Sequence, residues 1–112
     1  MAQDGEHDSR DLIEVSERWG LGLPAPTHPE DLLENGRLFE EIVRELTRRV
    51  EILMTRDPRK FTNDLYRLDV SEARIKDLLR TATGVDVYEG LARLILKREL
   101  QKAKTRREYS ST

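Results

Sequence analysis

Residues 37–55 read Arg-Leu-Phe-Glu-Glu-Ile-Val-Arg-Glu-Leu-Thr-Arg-Arg-Val-Glu-Ile-Leu-Met-Thr, and this stretch constrains the fold more than any other. Phe39, Val43, Leu46, Val50 and Leu53 recur at alternating steps of four and three, which puts all five on one side of a helix. Ile42 and Met54 widen the stripe. An apolar ridge of this kind does not stay in water, so the rest of the chain must supply elements that cover it. As a coiled coil it spans little more than two heptads, too short to hold a dimer alone. It is therefore expected to be the internal seam of a bundle, with a seam shared between two copies as the alternative.

The punctuation on either side supports a helical reading. Upstream, Thr27, Pro29 and Glu30 are placed as a cap, a first-turn proline and a capping-box acid. Leu32 and Gly36 continue the register of Phe39, so one long helix over 29–55 is the first expectation. A break at Asn35 and Gly36 is the alternative, since glycine costs about 1 kcal/mol inside a helix. Downstream, Asp57 and Pro58 are a cap and first-turn pair opening a helix with Phe61, Leu65 and Leu68 on one face. Asp69 or Ser71 caps the next helix, where Ala73, Leu78, Leu79 and Ala82 are expected to be buried with Ile75 nearby. Gly84 is expected to stop it. Asp86 opens the last helix, with Tyr88, Leu91, Leu94 and Ile95 as its apolar residues.

At the amino end, Ser9 is placed to cap a short helix bearing Leu12, Ile13 and Trp19. Gly20, Gly22, Pro24 and Pro26 then form a loop. Trp19, Leu21 and Leu23 either lie across the body as a strap or serve as a docking segment for a protein partner. No alternating apolar pattern of a strand is found anywhere in the chain. The fold expected is all-α: a small bundle of four or five helices with one long central helix and a basic C-terminal helix. The 112 residues are enough for one domain. That domain is placed at 9–104, between an acidic tail at 1–8 expected to be disordered and a basic, polar tail at 105–112 expected to be flexible and solvated.

Composition narrows the chemistry. The absence of cysteine excludes disulfides, thiolate metal sites and a cysteine nucleophile. No apolar run reaches the length that spans a bilayer, about 20 residues, and no signal-peptide core opens the chain; a cytoplasmic protein without membrane contact is expected. There are two histidines, His7 and His28. One sits in the acidic tail and one before a proline, and neither has partners in sequence that would make a catalytic or metal-binding set. Glu40, Glu41 and Glu45 share a helix, but no Glu-x-x-His accompanies them. No glycine-rich phosphate loop is present. The expectation is a non-enzymatic protein with no cofactor and no metal.

Charge is unevenly placed. Residues 1–56 hold 13 acids against 7 bases, and residues 57–112 hold 9 acids against 13 bases. The strongest run is Arg93, Lys97, Arg98, Lys102, Lys104, Arg106 and Arg107, with Glu99 the one acid among them. Residues 61–79 also have the pattern of a helix-turn-helix, in which Glu72, Arg74 and Lys76 would face a groove. Against that stand Asp69 at the usual turn glycine and acids that would meet phosphates. Two functional readings follow. The first is a small protein-protein interaction or adaptor module, with a protein partner or a second copy of the chain. The second is a nucleic-acid-binding regulator, contacting its partner through Arg74, Lys76, Lys97, Arg98, Lys102, Lys104, Arg106 and Arg107.

Overall fold

The structure, a computed structural model, describes residues 9–23 and 35–110. Among these residues there are five helices: α1 (Ser9–Arg18), α2 (Asn35–Arg56), α3 (Pro58–Leu68), α4 (Glu72–Thr81) and α5 (Val85–Ser110). The all-α fold expected from periodicity is what forms, with a long α2 and a long basic α5. None of the helices is long and apolar enough to cross a membrane. The described residues fall into two compact units, one within Met1–Ile42 and Leu100–Thr112, the other Val43–Glu99.

α2 begins at Asn35, with Gly36 in its first turn, and the residues that decide between one helix over 29–55 and a break at Asn35 and Gly36 are not among the described ones. The expected start near Pro29 lies outside the described residues. Leu46 and Val50 are fully covered and Val43 nearly so, while Phe39 and Leu53 are only half-buried. Leu38 and Ile42 are buried instead. The covered ridge thus follows a four-residue step through 38, 42, 46 and 50. This four-residue row differs from the heptad seam that the spacing of Phe39, Val43, Leu46, Val50 and Leu53 suggests.

In the first unit, Leu12, Val15, Leu38, Ile42, Leu100 and Ala103 are buried. The end of α1 is a Schellman turn. The Leu21 N–H donates to the Ser16 carbonyl at 3.1 Å, and the Gly20 N–H to that of Glu17 at 3.0 Å, with Gly20 at φ 60°. Only a residue without Cβ takes that conformation at no cost. Trp19, Leu21 and Leu23 are each half-buried, neither bare nor sealed.

The end of α5 departs from expectation. The helix runs through Ser110 rather than ending near residue 104. Arg107 is not solvated: its Nε and Nη2 donate to the two carboxylate oxygens of Asp11 at 3.2 and 3.1 Å. Arg106 donates to Glu14 at 3.0 Å. Two adjacent arginines thereby hold two acids one turn apart on α1, and Asp11 itself is only 5% exposed.

In the second unit, the buried apolar residues are Val43, Leu46 and Val50 from α2, Phe61 and Leu65 from α3, Val70 from the corner, and Leu91, Ala92, Ile95 and Leu96 from α5. The cap at Asp57 forms as expected, its carboxylate accepting from the Lys60 N–H at 3.1 Å with Pro58 in the first turn. Ser71 caps α4, accepting from the Arg74 N–H at 3.3 Å. Gly84 is left-handed, but it precedes α5; α4 ends at Ala82 in an extended conformation. The expected burial of α4 does not hold, because none of its residues is buried. Ala73 and Leu79 are exposed, and Ile75, Leu78 and Ala82 are half-buried.

Candidate functional site

The second unit contains a half-open cleft of about 280 Å³, and its construction begins at the end of α3. Asp69 closes that helix at φ 62°, a left-handed conformation that aspartate tolerates better than most residues with a side chain. Its N–H reaches the carbonyls of Leu65 and Tyr66, and the Val70 N–H donates to Leu65 at 3.3 Å. This is again a Schellman arrangement, with its apolar contact supplied by buried Val70 and Leu65. Arg98 completes it from α5, donating from Nε to the Leu68 carbonyl at 3.0 Å and from Nη2 to Asp69 at 3.4 Å. A cation at the carboxyl end of a helix opposes the helix dipole favourably. The corner between α3 and α4 is therefore fixed from both sides.

From this corner α4 leaves with only part of its apolar face covered. Leu78 rests on Gly90 of α5, so closely that a Cβ there would lie 2.4 Å from one Leu78 methyl and 2.7 Å from the other. On its other side, Ile75 and Leu79 stand over the cleft. Phe61, Leu65, Val70 and Leu91 also line it, and all four are buried residues. Met54 reaches it from α2. Leu79 is 53% exposed and Tyr66 63% exposed. Residues of this kind beside an apolar cleft differ from scattered surface leucines, because they extend a contiguous apolar area.

Thr62, Tyr66, Glu72 and Lys76 form the polar lining, with one carboxylate and one ammonium among them. The Tyr66 hydroxyl faces the Glu72 carboxylate, and its pKa is raised above the ordinary value. The hydrogen bond to Glu72 is the largest cause, that carboxylate's negative charge the next, and loss of hydration the last. Elsewhere on α4, Asp77 is held by Arg80 at 2.6 Å. Arg74 and Lys76 are exposed and make no side-chain ion pair among the described residues.

The basic residues singled out in sequence do not form one face. Glu72 and Lys76, four apart, both line the cleft, whereas Arg74 is two positions on from Glu72 and points elsewhere on the helix. Arg98 is committed to the end of α3. In the first unit, Arg106 and Arg107 are bound to α1, and Lys104 lies 3.9 Å from Glu108. Lys102 is half-buried, and Lys97 of the second unit is exposed. Of the eight, Arg74, Lys76 and Lys97 keep exposed side chains without an ion pair among the described residues.

Met54, Tyr66 and Gly90 were not singled out as site residues by sequence reasoning. Gly90 carried a usable signal: a glycine inside a strong helix costs stability and marks a close approach. Among the described residues no group of three or more histidine, cysteine, aspartate or glutamate side chains is placed to hold a metal ion. His7 and His28 lie outside the described residues. No family model matches the sequence, and no curated protein or solved structure matches it either.

Proposed function

We propose that this chain is a non-enzymatic protein-interaction module, and that the cleft beneath α4 receives an apolar segment of a partner protein. One observation carries the reading: the cleft has a buried apolar floor, yet it stays open under a helix with no buried residue and a half-exposed Leu79. A chain folding for itself alone gains by closing such a gap, since each buried methylene is worth about 0.8 kcal/mol. Helices that dock into grooves place apolar residues at i, i+3 and i+4, which suits an open trough bounded by other helices.

The test is a photo-reactive amino acid at position 79, compared with one at exposed Arg44 of α2. The expected result is a discrete adduct from position 79 only, mapping to one partner segment and lost on adding Ile75→Glu. No adduct, or equal adducts from both positions, contradicts the reading. A nucleic-acid role draws support from one feature, the three-residue corner joining α3 to α4. Binding of labelled duplex that weakens steeply as salt is raised would favour that role.

A further inference from the structure

α4 is attached to the second unit differently at its two ends. Its amino end is held firmly. Ser71 caps it, the Ile75 N–H donates to the Ser71 carbonyl at 3.1 Å, and Arg98 clamps the preceding corner through the Leu68 carbonyl and Asp69. At its carboxyl end Ala82 turns extended, Thr83 and Gly84 are exposed, and nothing lies within 4 Å of where a Cβ on Gly84 would stand. That connector can change its backbone angles without displacing a neighbour. Between the two ends no residue of α4 is buried, whereas α3 buries Phe61 and Leu65, and α5 buries Leu91, Ala92, Ile95 and Leu96. The Leu78 side chain, seated in the notch at Gly90, is the catch that holds α4 to α5.

We propose that α4 is a hinged lid: it pivots at the Asp69 corner, Leu78 leaves Gly90, and the cleft widens while α3 and α5 stay folded. A segment with few buried apolar contacts opens locally at a free energy below that of global unfolding. Three-residue connectors at either end, 69–71 and 82–84, limit the excursion, since each spans about 10 Å when fully extended. The helix therefore tilts and slides but does not leave. Alone, α4 is too short to keep its hydrogen bonds, because helices under about 12–15 residues are marginal in water. Each undocking thus also opens its amides to exchange. As a gate for a partner the lid rests on the reading that the cleft docks protein; the motion itself does not.

The experiment is native-state hydrogen exchange of the full chain, read at the amides of residues 76–81 against those of residues 95–100 in α5. The expected result is exchange about a hundredfold faster in α4. It should hardly respond to urea below the unfolding transition, because a local opening exposes little surface. Exchange of α4 in step with α5, with the same urea dependence, overturns the lid. A lock gives a second arm. The chain has no cysteine, and Leu78 Cγ lies 3.1 Å from where a Gly90 Cβ would stand. That brings the two Cβ positions near disulfide range, about 3.5–4.5 Å. In Leu78→Cys/Gly90→Cys, the gap between α4 and α5 should persist when the pair is reduced and narrow at least about tenfold when it is oxidised. A gap that survives oxidation unchanged overturns the lid. Photo-capture at position 79 should fall in the oxidised form and recover on reduction. Equal capture in both forms overturns the gate. Capture in neither overturns the docking reading and the gate with it, while exchange still judges the motion.

Discussion

Replacing Arg107 with alanine should destabilise the protein, although a basic residue five positions before Thr112 invites the opposite expectation. The reason lies in Asp11, 5% exposed and held by two charge-assisted hydrogen bonds at 3.2 and 3.1 Å. Removing one partner of a buried pair costs about 3–5 kcal/mol, because the other charge is left without water or counter-charge. Here Arg107 keeps 34% of its side-chain surface exposed, so water can reach part of the vacated space. Discounting for that screening leaves about 1–3 kcal/mol. The reciprocal change is milder. Asp11→Asn removes the buried charge itself and leaves an arginine that can turn to solvent, so about 0.5–1.5 kcal/mol is expected. Arg106→Ala should cost less than about 1 kcal/mol, because both members of its pair are substantially exposed. Urea denaturation of the three variants gives the ranking, and hydrogen exchange should show α1 losing protection first in Arg107→Ala. A value for Arg107→Ala within about 0.5 kcal/mol of the parent would refute the reasoning, since that is the range of ordinary surface changes.

Three further outcomes follow from the structure. Leu46→Ala should cost about 2–5 kcal/mol by chemical denaturation, as Leu46 is fully buried at the centre of α2. Gly90→Ala gains helix propensity of about 1 kcal/mol but drives a methyl into Leu78. The colliding atoms are the flexible end of a half-buried side chain, so Leu78 can give way; Gly90→Ala should be more favourable in a Leu78→Ala background than alone, and additive effects in that double-mutant cycle would deny the contact. In an absorbance titration, Tyr66 should ionise at higher pH than an ordinary tyrosine, because the Glu72 carboxylate favours the protonated phenol. Glu72→Gln should move that transition to lower pH, and an unmoved curve would show that Glu72 does not act on it.

Local chemistry was legible in the sequence, whereas pairings between distant segments were not. Asp57 and Pro58 announced α3, and Ser71 announced α4, because a cap acts within one turn of itself. The α2 ridge was legible in class but rotated, because heptad spacing and a four-residue ridge share Leu46 and Val50 and diverge at Phe39 and Leu38. The end of α5 was misread because its partner is 96 residues away. Periodicity reports which side of a helix is apolar and is silent on which acid an arginine will meet. Adjacent Leu78 and Leu79 look alike in a helical pattern, yet one rests on Gly90 and the other stands half-exposed at the cleft. Adjacent positions on a helix point about 100° apart, and periodicity alone does not say which of the two directions meets a neighbour.

The central claim is that Leu79 serves a partner rather than the fold. Completing the burial of a half-exposed leucine is worth about 1 kcal/mol, and the gap left opposite it in a complex adds to the loss. The most direct measurement is the affinity of Leu79→Ser for the partner segment captured at position 79, taken with its unfolding midpoint. The account predicts binding weaker by about fivefold to thirtyfold with the midpoint unchanged. Unweakened binding, or a collapse in stability with no separate loss of affinity, would contradict it.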